Sequence, residues 1–112
     1  MTLREIADVL KLEALTPELD ITAEVSQAHV SDLLSDVLAN APAGGILVTI
    51  QVHMNVVAVA LHAGLAGVIF AAGMKPDDAV RRKAVQEKLP LFAADGPSFD
   101  VSGRLYRLGL RG

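Results

Sequence analysis

The stretch GILVTIQVHMNVVAVALHAGLAGVIFAAGMKPDDAVRRKAVQEKLPLFA, residues 45–93, decides the fold. Ile46-Leu47-Val48-Thr49-Ile50 is a continuous β-rich apolar run, the pattern of a strand buried on both faces. Residues 54–63 read as a helix, and Ala66 to Phe70 as the next strand after the Gly64-Leu65-Ala66-Gly67 turn. Pro76-Asp77-Asp78 opens a second helix reaching about Lys88, with Pro76 at a favoured first-turn position. Leu91-Phe92-Ala93 is a short third strand, and Pro97-Ser98 starts a last helix that Gly109 closes. The order is β-α-β-α-β-α with short connections, which predicts parallel strands joined by right-handed crossovers.

Upstream of this block, Thr2 and Glu5 have capping-box spacing. Leu3, Ile6, Val9 and Leu10 follow as an apolar helical stripe. Lys11 to Leu15 reads as a short strand broken by Thr16-Pro17, and Ile21 to Ala28 as a second extended piece, the two forming a strand pair. Ser31 and Asp32 supply the oxygen and negative charge that a helix start favours, with Val30, Leu33, Leu34, Val37 and Leu38 at helical spacing behind them. Asn40-Ala41-Pro42-Ala43-Gly44-Gly45 ends that helix in a turn. The fold class expected is α/β, a mixed and mostly parallel sheet flanked by helices, as one domain over residues 1–112.

Composition limits the function. The chain is 52% hydrophobic, enough apolar surface to order a core, but only 4% aromatic, so that core is built from Val, Leu, Ile and Ala. A net charge of −3 argues against a nucleic-acid binder. The basic cluster Arg81-Arg82-Lys83 lies among Asp77, Asp78 and Glu87, as on a solvated helix face, and Arg104, Arg107 and Arg111 are sparse. The absence of cysteine removes disulfides, thiolate metal sites and a Cys nucleophile. No signal-peptide pattern opens the chain, which makes a cytoplasmic location the expectation. The run from Val56 to Met74 holds only His62 as a strongly polar residue, but Gly64 and Gly67 split it, so helix, turn and buried strand account for it better than a membrane span.

Ligands of open parallel sheets bind beyond the carboxyl ends of the strands, where helix N-termini converge. Three loops meet there: Gln51-Val52-His53-Met54-Asn55, Ala71-Ala72-Gly73-Met74-Lys75-Pro76 and Ala94-Asp95-Gly96-Pro97-Ser98. The candidate ligand-binding residues are Gln51, His53, Asn55, Gly73, Lys75, Asp95 and Ser98, for an anionic or nucleotide-like ligand. Loops of any α/β protein are polar and Gly-rich, so the pattern alone is weak. Catalytic motifs are not found. No lysine sits in a Walker A frame. His29, His53 and His62 are not spaced for a metal, so neither metal nor cofactor is expected. Ser98, His53 and Asp95 are the residue types of a hydrolytic triad without its nucleophile elbow.

The strand 46–50, the loop 51–55, the run Val56-Val57-Ala58-Val59-Ala60, Gly67-Val68-Ile69-Phe70, Ala71-Ala72-Gly73-Met74-Lys75-Pro76-Asp77-Asp78 and Leu89-Pro90-Leu91 together resemble the DRTGG domain, and the N-terminal third fits the same pattern. The resemblance implies a fold similar to the N-terminal domain of HPr kinase/phosphorylase. Such domains also occur beside phosphotransacetylases and CBS-domain pyrophosphatases, and as short stand-alone proteins. It implies a non-catalytic, dimer-forming regulatory module. The family is named for an Asp-Arg pair after one strand and a Thr-Gly-Gly after the next; here His53 and Ala71-Ala72-Gly73 stand in those loops, and only Gly73 clearly matches. The expected function is thus a homodimeric regulatory or ligand-sensing module that binds a nucleotide or another small metabolite. The alternative is an adaptor subunit of a neighbouring metabolic enzyme with no small-molecule ligand. Neither nucleic acid nor membrane is expected as a partner.

Overall fold

Strand side chains alternate between two faces, and in a sheet covered on both sides each face needs its own apolar layer. The computed structural model, which describes all residues 1–112, shows that division. Ten elements follow in order: α1 (Leu3–Leu10), β1 (Glu13–Ala14), β2 (Ala28–Val30), α2 (Leu34–Asn40), β3 (Ile46–Thr49), α3 (Asn55–His62), β4 (Gly67–Phe70), α4 (Asp78–Gln86), β5 (Leu91–Ala93) and α5 (Ser98–Arg107). Ile46, Val48, Ile69 and Phe92 pack with Leu3, Ile6 and Leu10 of α1 and Val101 and Leu105 of α5. The alternate residues Leu47, Val68, Phe70 and Leu91 pack with Val37 of α2, Val56, Val57 and Ala60 of α3, and Val80 and Ala84 of α4. The sheet is the middle of three layers.

The five strands lie in the order β1-β5-β4-β3-β2. β2 to β5 are parallel, in register Ala28↔Ile46, Ile46↔Gly67 and Val68↔Leu91, and β1 runs antiparallel to β5. The α/β class, the mixed and mostly parallel sheet and the flanking helices are those read in the sequence. Gly67 lets the strands approach closely: a Cβ there would lie 3.1 Å from the Pro90 carbonyl oxygen, which accepts the Val68 N–H.

Several expectations are corrected. The two N-terminal extended pieces do not pair: β1 and β2 occupy opposite edges of the sheet, and β2 adds a fourth parallel strand. Residues 21–27 contribute only isolated bridges, Thr2 with Glu24 and Gln27 with Arg111. Asp32 does not start α2. Its Oδ1 accepts from the Thr49 hydroxyl at 3.0 Å and the Ile50 N–H at 2.8 Å, because the end of β3 presents both donors beside it. The Ser31 hydroxyl accepts from the Leu33 N–H, and Leu33 is the N-cap, without a side-chain bond. Pro76 precedes α4 rather than opening it; the N-cap is Asp77, whose carboxylate accepts from the Val80 N–H. No helix is long and apolar enough to cross a membrane.

α2 is tied to β2 through one carboxylate. Asp36 accepts from Asn40 Nδ2 at 2.8 Å and faces His29 Nε2 at 2.8 Å. Its carboxyl is held down at about 2, by Asn40 first, then His29 and Ser31. A folded-state pKa below the unfolded value contributes stability that is present above about 4 and lost as pH falls through about 2. We expect Asn40→Ala to raise the Asp36 carboxyl more than His29→Ala does, read from side-chain carboxyl ¹³C shifts on acid titration. An unmoved titration in both variants would remove this account.

Candidate functional site

The loops after β3 and β4 are shaped by their own hydrogen bonds. After β3, the Ile50 N–H goes to Asp32 and the Gln51 N–H to the Thr49 hydroxyl. His53 Nδ1 accepts from the Asn55 N–H at 3.1 Å, which leaves Nε2 as the protonated nitrogen of the neutral ring. The Val56 and Val57 N–H groups are taken by the carbonyls of His53 and Met54. After β4, Ala72 and Gly73 both have positive φ, 58° and 69°, and the Met74 N–H donates to the Ala71 carbonyl. That is the arrangement of a type I′ turn. Gly73 is therefore explained by the turn.

The same turn is laced to the third loop, since the Ala72 N–H donates to the Gly96 carbonyl and the Gly73 N–H to the Ala94 carbonyl. The three loops do meet at the carboxyl ends, as expected, but only two of them form an opening. A cleft of about 510 Å³ lies between the β3–α3 loop and the β4–α4 connection, within the range of small-molecule sites. Its polar lining is Gln51, His53 and Asp77. Its apolar lining is mainly Ile50, Val52, Met54, Met74 and Val80.

Of the residues expected at the site, Gln51 and His53 line the cleft and the others do not. Asn55 is the first residue of α3. Lys75 turns to the sheet edge, where its Nζ meets Glu13 Oε1 at 2.8 Å; this hydrogen bond and the carboxylate's charge raise its pKa. Asp95 lies in the third loop and Ser98 is the first residue of α5, both outside the cleft lining, and the Ser98 carbonyl accepts from the Ser102 hydroxyl. The sequence reading missed Met54, Met74 and Asp77 as lining residues. All three lie in or next to the named loops, and only their apolar or capping character kept them out. No group of His, Asp and Glu side chains is placed to hold a metal ion.

A second, smaller opening of about 290 Å³ lies between the edge strand β2 and the C-terminal part of α5, lined by His29, Val30, Leu105, Tyr106, Leu110 and Arg111 among others. The Arg111 guanidinium stacks on the Tyr106 ring at 3.8 Å, and its Nη1 donates to the Tyr106 and Leu110 carbonyls.

No family model matches the chain, and neither does any curated protein. Among solved structures, the fold is similar to the CBS and DRTGG domains of the regulatory region of a Clostridium perfringens pyrophosphatase, a structure complexed with its activator, diadenosine tetraphosphate. The TM-score is 0.71 at 16% identity, over 93% of this chain. The chain spans 45% of that structure's length. At this identity the likeness establishes a shared fold with a regulatory region.

Proposed function

We propose that this chain is a DRTGG-like regulatory module, one domain over residues 1–112, that senses a small molecule and acts in the cytoplasm as a homodimer. The observation that carries the reading is the cleft between the β3–α3 and β4–α4 connections. It opens where parallel sheets bind ligands, in a fold shared with a regulatory region that was solved with an activator bound. The ligand class is a nucleotide-like or other small metabolite. In this reading the module performs no reaction. His53 Nδ1 is occupied by its own loop, and Ser98 and Asp95 lie outside the cleft that His53 lines.

A ligand that binds only the folded chain raises its melting temperature, by about 2.7 kcal/mol of added stability at a hundredfold excess over Kd. Thermal-shift measurements with adenosine, its phosphates and diadenosine tetraphosphate are the test. No shift with any of them at millimolar concentration would leave the module without this ligand class. The dimer is supported by large apolar side chains in solvent, and light scattering after size exclusion should give twice the 11.8 kDa chain mass. A monomer at micromolar concentration refutes it.

The second reading is an adaptor for a neighbouring enzyme. Phe99 at 86% and Leu33 at 65% exposure favour it, since both follow strand carboxyl ends and present most of their apolar surface to solvent.

A further inference from the structure

On the reading that the cleft beside Met54 and Met74 is a ligand site, we infer that its ligand is an amino-substituted aromatic base or nucleoside and carries no phosphate. Phosphate sites in this position draw on cations and on unpaired backbone N–H groups. The cations are not offered here. No Lys or Arg lines the cleft. Lys75 is held by Glu13, and Arg81 by Asp78 and Glu18. The N–H groups of Ala71, Ala72, Gly73 and Met74 donate to the carbonyls of Thr49, Gly96, Ala94 and Ala71, so the Gly-containing turn itself has none left to cradle an anion.

The helix starts are closed in part, with the Val52, His53 and Met54 N–H groups before α3 left without a protein acceptor. The first turn of α3 donates to His53 Nδ1 and to the His53 and Met54 carbonyls. At α4, Asp77 accepts the Val80 N–H. The Asp78 and Ala79 N–H groups have no protein acceptor, but they share the helix start with two carboxylates. The Asp77 carboxylate, itself in the lining, would repel a phosphate brought within a few ångströms.

What the cleft does offer is specific. Met54 and Met74 present polarisable thioethers of the kind that pack on aromatic rings. Ile50 and Val52 extend that apolar surface. Asp77 retains acceptor capacity for an amino group, and His53 Nε2–H donates to a ring nitrogen or oxygen. A flat base with an amino donor and ring acceptors satisfies all of these groups, whereas a phosphate meets the His53 Nε2–H alone and is repelled by Asp77.

The test compares adenosine, inosine, AMP and ATP by thermal shift, together with the methyl spectra of the chain's three methionines. Adenosine should raise the melting temperature and move the Met54 and Met74 methyl signals while leaving Met1 in place. Inosine, without the amino group, and both phosphates should bind about tenfold more weakly or worse. Asp77→Asn keeps an N-cap acceptor and removes the charge, so it should bring AMP close to adenosine. AMP or ATP binding more tightly than adenosine with the Met54 and Met74 signals moving would overturn the inference and leave the ligand-sensing reading standing. Adenosine bound without moving those signals, or an adenosine-to-AMP ratio unchanged in Asp77→Asn, overturns it too. If none of the four binds, the inference and the ligand-sensing reading both fail.

Discussion

Phe70→Ala is expected to destabilise the fold by about 3–5 kcal/mol, the range for truncating a fully buried phenylalanine. Phe70 has no exposed surface and ends β4, the strand flanked by β3 and β5. Its side chain belongs to the apolar layer formed with α3 and α4, the two helices whose first turns border the cleft. Only three phenylalanines serve the whole chain, so small aliphatic neighbours have little bulk with which to fill the void. A domain of this size has about 5–15 kcal/mol in total. The loss should therefore lower the melting temperature by at least about 12 °C, taking about 4 °C for each kcal/mol.

Phe99→Ala is the matched control. With 86% of its surface exposed, it should change monomer stability by no more than about 0.5 kcal/mol. Urea unfolding of the two variants measures the contrast. A Phe70→Ala loss under about 1 kcal/mol would mean that the layer is not packed as described. If Phe99→Ala also lowers the molecular mass seen by light scattering, Phe99 belongs to the dimer contact.

The same layer shows why the central part of the fold was legible. Ile46 to Thr49, Gly67 to Phe70 and Leu91 to Ala93 are buried on every residue, and such strands show up as unbroken apolar runs between helical patterns. The edges carry no such mark. β1 is two exposed residues, Glu13 and Ala14, and β2 is three residues with none fully buried. Nothing in their letters says that one pairs antiparallel with β5 while the other extends the parallel order beyond β3. That placement is set by long-range contacts, and the site reading inherited the uncertainty. The loops were located correctly because strand ends locate them. Lys75 was not, because its partner Glu13 lies on β1, 62 residues away in the chain. Asp32 was misread for a similar reason: a carboxylate before a helical pattern resembles a cap, and only the position of Thr49 on the neighbouring strand reveals its other partners.

The way β1 is held to β5 yields the second large effect. The ladder pairs Glu13 with Ala93 and Ala14 with Phe92, and the Leu15 N–H then donates to the Leu91 carbonyl. At the next step the chain turns at Pro17, and the Thr16 hydroxyl takes the Leu91 N–H at 3.0 Å in a buried bond. Thr16→Val keeps the shape and removes the acceptor. The Leu91 N–H is then buried without a partner, a cost of about 1–3 kcal/mol. Thr16→Ser retains the hydroxyl and should recover most of that cost, which separates the hydrogen bond from the packing of the lost methyl group. The damage should also be local. Amide exchange at Leu91 and Ala93 should accelerate strongly in Thr16→Val, while Ile69 in β4 should exchange only as fast as the reduced global stability allows. A Thr16→Val loss under about 0.5 kcal/mol would remove the hydroxyl from the account. A faster β5 edge in Thr16→Val should also loosen the Lys75–Glu13 pair, since Glu13 reaches Lys75 only while β1 stays on the sheet.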